Sequence, residues 1–245
     1  MNCASADDQE SMKTENTLST IRRLPSLPSY GAARRAFTLV EMLVVIAVIA
    51  TLAAMIFPAF GMIKRRASIQ KAQTELKLVA SAITDYKHQY GHYPPDHPGN
   101  PITNGLYFEL LGTVQKGLNF ETKNGDARIL AAEVPIQFGQ GGFVNCAKGG
   151  GDDNAQTAKK FLIELKPGQY GEIAAGSNIR LLACSVRWPD NNSSPIPTNP
   201  GLNPWRYVSS NPTNSNGEFD LWVDILVGGQ TNRISNWNDK PLIVP

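Results

Sequence analysis

The side chains of this chain that could do chemistry fall into a few small groups, and one is set apart by its surroundings. Glu41 is a carboxylate within residues 39–57, where only it and Thr51 are not apolar. At 1.5 Å per residue these 19 residues would make a helix of about 28 Å, close to the roughly 30 Å of bilayer hydrocarbon. A charge in that setting costs a few kcal/mol unless an opposite charge meets it, which points to pairing rather than turnover. The other groups are plainer. His88 and His92 are four apart and could share a helix face for a metal, but Gly91 lies between them and no third ligand is evident. Solvated surface histidines are the reading there. Cys146 and Cys184 could form a disulfide or stand as two free thiols. The glycines of 139–151 lack the spacing of a phosphate-binding loop. No nucleophile elbow, paired metal-ligand motif or histidine-centred constellation is present, so the chain does not read as an enzyme.

The element that must position Glu41 is a long helix. Residues 1–36 are polar and carry Arg22, Arg23, Arg34 and Arg35, the composition of a cytoplasmic leader starting at Met1 or Met12. Lys64, Arg65 and Arg66 flank the other end of the apolar run, so charge alone does not orient it. A cleaved secretory signal is the alternative, but the run is too long and its end offers a poor cut site. Pro58 removes the hydrogen bond to the Ala54 carbonyl, so a kink or local melting is expected there. Helical periodicity then resumes. Ile69, Ala72, Leu76, Val79, Ile83, Tyr86 and Tyr90 form one apolar stripe, and Gly91 with Pro94-Pro95 should stop the helix. From residue 37 to 90 the rod would be about 80 Å long. Its first half is apolar all round and needs lipid or other helices; its second needs a sheet on its stripe.

The 21 Gly and 17 Pro of the whole chain suit a loop-rich exported head beyond the helix, and its net charge of +2 gives no case for nucleic acid. Thr103 or Asn104 could cap a short helix through Leu111, and Asp153 another over 155–165, with Phe161, Leu162 and Leu165 inward. Residues 179–187, 205–209, 219–226 and 232–234 read as strands, and 189–204 as a loop. Alternation puts Phe219, Leu221, Val223 and Ile225 on one face, and Asp220, Trp222 and Asp224 on the other. The expected fold is α+β, the long helix packed on a small antiparallel sheet.

Arg34, Arg35, Ala36, Phe37, Thr38, Leu39 and Glu41, followed by the apolar run, resemble the prepilin signature of type IV pilins and type II secretion pseudopilins. The resemblance implies the pilin fold and cleavage by prepilin peptidase between Ala36 and Phe37, with methylation of the new Phe37 amine. Ala36 departs from the Gly usual before the cut. Glu41, one helical turn on, can then meet the Phe37 amine of its own chain or of a neighbour, rewarding one register of a helix bundle. Residues 37–60 become the transmembrane and polymerisation helix, flexed at Pro58. Residues 61–93 are its amphipathic second half and 94–245 the exported head. Tyr90-Gly91-His92-Tyr93-Pro94, Asn203-Pro204-Trp205, Gly217-Glu218-Phe219-Asp220 and Ile234-Ser235-Asn236-Trp237 also resemble segments of G-type major pseudopilins. Members commonly bind calcium near the last two. Here Gly228 and Arg233 stand in place of the usual loop aspartates, leaving Asp220 and Asp224 as weak candidates and no family-type calcium site expected. The implied function is a structural subunit of a periplasmic type II secretion filament. Its partners are its own copies, other pseudopilins, prepilin peptidase, an inner-membrane assembly platform and the membrane. The implied location is the bacterial inner membrane, single-pass, with the N-terminus cytoplasmic and the head periplasmic. A type IV pilus subunit is the alternative, and a membrane-anchored exported enzyme a more distant one.

Overall fold

The computed structural model describes residues 37–148, 157–189 and 193–244, and the side chains of 55–60 lie outside that description. The leader over 1–36, Ala36 and the Asp153 cap therefore fall outside the described residues, as does the side chain of Pro58. Contacts divide the chain into two units, Met1–Ile49 and Ala50–Pro245.

A 52-residue helix, α1 (Leu39–Tyr90), is assigned without a break. The expected local melting at Pro58 does not occur: the backbone is helical on both sides and through it. A proline in mid-helix removes one hydrogen bond, and intact turns on either side can hold the remaining ladder. Within the first unit, residues 39–49 are exposed on every side of the helix. The C-terminal stop is as the sequence implies. Gly91 adopts φ 80° and donates its N–H to the Lys87 carbonyl at 2.8 Å, a left-handed cap that a residue with a Cβ would strain.

The second unit is α+β. Among the described residues, two short helices, α2 (Leu106–Leu111) and α3 (Val134–Phe138), accompany ten strands. Strands β1 (Thr113–Lys116), β2 (Asn119–Thr122), β3 (Arg128–Leu130) and β4 (Cys146–Lys148) form a sheet of order β3-β2-β1-β4, in which β4 runs parallel to β1. Strands β5 (Tyr170–Glu172) and β6 (Arg180–Leu182) pair as a ribbon. The C-terminal sheet of β7 (Arg206–Val208), β8 (Asp220–Val227), β9 (Gln230–Ser235) and β10 (Asn238–Val244) is antiparallel throughout, in the order β10-β9-β8-β7. The α1 stripe (Ala72, Leu76, Val79, Ile83 and Tyr86) is buried in one apolar core with Leu221, Val223 and Ile225 of β8 and the aromatic side chains of α2. Burying each such side chain contributes about 1.5–3 kcal/mol.

Two expectations are corrected. Residues 157–165 are not helical. Their backbone donors go elsewhere: Lys159 N–H bonds Asn145 Oδ1, and Phe161 and Leu162 N–H groups bond the Leu110 carbonyl. Leu162 is nonetheless buried, held inward by these ties rather than by a helix face. The strand expected over 179–187 shrinks to β6 and a single bridge from Ala183 to Pro204.

Candidate processing and assembly site

The start of α1 is built by Thr38 and Glu41. Thr38 N–H and the Thr38 hydroxyl each donate to Glu41 Oε2 at 2.8 Å, and Glu41 N–H donates to Thr38 Oγ1 at 3.2 Å. This is a reciprocal capping box, with Thr38 as the cap and Glu41 three residues later. It fixes the first helical residue as Leu39, two beyond the Ala36–Phe37 peptide bond. Around it Phe37, Leu39, Val40, Leu43 and Ile46 are largely exposed, an apolar surface that needs a lipid or protein partner. Among the described residues, no helix is long and apolar enough to cross a membrane. The apolar run continues into residues 55–57, whose side chains are outside the description.

At its other end, α1 is fastened to the head by a buried polar network. Glu109 on α2 is fully buried and accepts from Tyr86 Oη (3.0 Å), Val144 N–H (2.8 Å) and Asn145 N–H (2.9 Å). Asn145, also fully buried, donates through Nδ2 to the Glu109 and Lys159 carbonyls at 2.6 Å each and accepts from Tyr90 Oη at 2.7 Å. Burial pushes the Glu109 carboxyl above its ordinary range, while the N–H groups of Asn145 and Val144 and the Tyr86 hydroxyl pull it back. The same burial, with Glu109 beside it, raises the Tyr86 phenol. Because the folded-state value of Glu109 exceeds the unfolded one of about 4.3, the stability it contributes is complete below that pH and is lost as pH rises through the folded value. Urea melts of the full-length chain and Glu109→Gln should therefore show wild type losing stability relative to the variant as pH rises from below about 4. A pH-independent difference would refute the assignment.

A second carboxylate of α1, Glu75, lies off the apolar stripe yet is buried, accepting Ser185 N–H at 2.9 Å and the Ser185 hydroxyl. It ties the helix to the segment after β6.

The remaining candidate residues do not converge. Cys146 on β4 and Cys184 after β6 are free thiols, so the disulfide is not formed. Burial raises the Cys146 thiol and pushes that of Cys184 up to about 12. In native protein at pH 8, a maleimide should label Cys146 slowly and Cys184 only after unfolding; equal labelling of both would contradict this burial. His88 and His92 are exposed, and His92 Nδ1 lies 2.9 Å from the Tyr93 carbonyl. Among the described residues, no group of three or more His, Cys, Asp or Glu could hold a metal. Asp224 is committed to Arg233, through Nε at 2.8 Å and Nη2 at 3.0 Å. Asp220 Oδ2 accepts the N–H groups of Thr213 (2.9 Å) and Asn214 (3.0 Å) and the Asn214 amide (2.9 Å). Burial opposes its ionisation, but these donors prevail and its carboxyl sits below the ordinary range.

Spacing drew attention to Glu41 but missed its local partner, although Thr38-Leu39-Val40-Glu41 is a capping-box string. Glu109 and Asn145 left no periodic or motif signal. No curated protein and no solved structure matches the chain. Residues 31–57 match the family model of the prokaryotic N-terminal methylation motif. That motif is the signal of type IV pilins and pseudopilins, and it indicates a subunit that prepilin peptidase processes and that polymerises into filaments. The chain is a pilin-like protein bearing this N-terminal signal.

Proposed function

We propose that the chain is a pseudopilin of a type II protein secretion system. On this reading it is cut between Ala36 and Phe37, methylated at Phe37, and held in the bacterial inner membrane with its head outside. It polymerises through the helix that carries Glu41 and Pro58, with the membrane assembly platform and other pseudopilins as partners. Its role is structural rather than catalytic, and its fold is the pilin fold. The observation that carries the choice of system is the assembly of the G-type-like segments into one C-terminal unit. Asn236 Nδ2 donates to the Phe219 carbonyl at 2.7 Å, and its Oδ1 accepts the Leu221 N–H at 2.8 Å, joining the Gly-Glu-Phe-Asp and Ile-Ser-Asn-Trp segments. Trp205 of the third segment is buried in the same core. No family-type calcium site is part of this reading, because Arg233 occupies Asp224 with a bidentate ion pair. Melting in millimolar calcium should leave Tm unchanged, and a rise of several degrees would overturn that point.

Deletion of the coding sequence decides between the systems. Exported enzymes should accumulate in the periplasm and surface pili should be unaffected. Loss of pili with secretion intact would instead make the chain a type IV pilus subunit.

A further inference from the structure

We propose that the outward face of the C-terminal sheet carries a binding site for a neutral saccharide. A cavity of about 300 Å³ lies between the loop before β8 and the β9–β10 turn. Its walls include Trp222, Trp237 and Leu242, with Asp220, Asn214 and Arg233 among its polar groups. This is the face of β8 opposite Leu221, Val223 and Ile225, so the core packed on α1 does not use it.

The two indoles meet edge to face, 5.7 Å apart at 66°, and both remain partly exposed. Such a corner offers an apolar ring face to a ligand that has one apolar and one polar side. The guanidinium of Arg233 lies 5.8 Å from the Trp222 ring and is held there by Asp224, so its position is set in advance. Asn211, Thr213 and Asn214 add amide and hydroxyl groups to the wall, able to donate to or accept from a ligand. All three are exposed, so a ligand in the cavity can reach them.

These features select the ligand. An anion would meet the Asp220 carboxylate, and a cation the Arg233 guanidinium. A purely apolar ligand would strip water from the Asn211, Thr213 and Asn214 side chains without replacing its hydrogen bonds. A hydroxyl group can both donate to and accept from these amides and the Thr213 hydroxyl, and a sugar ring presents several hydroxyls around a face of C–H groups that stacks on indole. The volume is at the low end for small-molecule sites and suits one or two sugar rings. The site is independent of filament assembly, and its test does not depend on which secretion or pilus system the chain serves.

The test is calorimetric titration of the full-length chain in a zwitterionic detergent without sugar headgroups. The neutral probes are maltose, cellobiose and diacetylchitobiose; the charged ones are digalacturonate and glucosamine. At least one neutral disaccharide should saturate in the millimolar range, and Trp237→Ala should weaken it about tenfold or more. Leu242→Arg, at an exposed position on the edge strand, should fill the cavity and weaken binding similarly without loss of fold. Absence of saturable binding by every neutral probe would overturn the proposal. So would saturation by the charged probes alone, or unchanged affinity in Leu242→Arg with its melting temperature preserved.

Discussion

Glu41→Ala and Glu41→Gln should both abolish filament assembly while leaving the precursor cut between Ala36 and Phe37. The two substitutions separate two roles that the geometry superimposes on one carboxylate. As the third helical residue, Glu41 receives the Thr38 N–H in a capping box, a contact that steadies the first turn. A glutamine keeps an acceptor at that position and preserves the box. It does not keep the charge. A carboxylate among exposed Leu39, Val40, Leu43 and Val44 costs a few kcal/mol in hydrocarbon until a cation meets it, and the amine freed at Phe37 is the nearest candidate within a bundle. Pairing is therefore worth more than capping, and Gln should fail as Ala does. Thr38→Ala is the complement: it removes the cap and keeps the charge, so it should still assemble, with a frayed first turn. Sheared filaments quantified by immunoblot, with the mass of the mature N-terminus, read both outcomes. Filaments at wild-type level from Glu41→Gln would show that capping, not charge, is the role.

What the sequence made legible follows from where its information is local. The apolar run, the stripe of residues 69–90 and the Gly91 stop are periodic or positional signals, and each reappears in α1. The alternation over 219–225 puts Phe219, Leu221, Val223 and Ile225 on one face, and all four are buried, as one face of an antiparallel sheet must be. The sheet of β1 to β4 was not legible. Its strands are three or four residues long, and β4 joins β1 in parallel from some 30 residues away, a pairing that no local pattern encodes. The segment over 157–165 misled for the same reason. Phe161, Leu162 and Leu165 have helical spacing, but Asn145 and Leu110 claim its backbone donors through tertiary contacts. Glu75 falls off the stripe, yet it is buried and accepts from Ser185, 110 residues away. Buried polar partners are set by topology, so single-residue chemistry does not announce them.

Asn145→Ala should be among the most destabilising substitutions in the head, costing about 3–4 kcal/mol. The side chain makes four hydrogen bonds: two donated to the Glu109 and Lys159 carbonyls, and two accepted from Tyr90 Oη and Lys159 N–H. The net worth of one such bond is about 0.5–1.5 kcal/mol, but truncation also takes this partner from the carbonyl of fully buried Glu109. Asn145 is fully buried, so the vacated space cannot be resolvated cheaply. Its own backbone still donates to Glu109 and accepts from Thr113, so the variant loses a hub rather than the local chain path. At about 2–4 °C per kcal/mol for a domain of this size, Tm should fall by roughly 10 °C. Asn145→Asp should do no better, since it loses both donors and sets a second carboxylate against Glu109. Asn124→Ala, which removes a bond to Asp126 at an exposed turn, should stay within about 0.5 kcal/mol. Because Tyr90 is the last residue of α1, the variant should also speed amide exchange in the final turn of that helix. A loss below about 1 kcal/mol, with exchange unchanged, would mean that the core of Tyr86, Phe161 and Leu110 holds the helix end without the network.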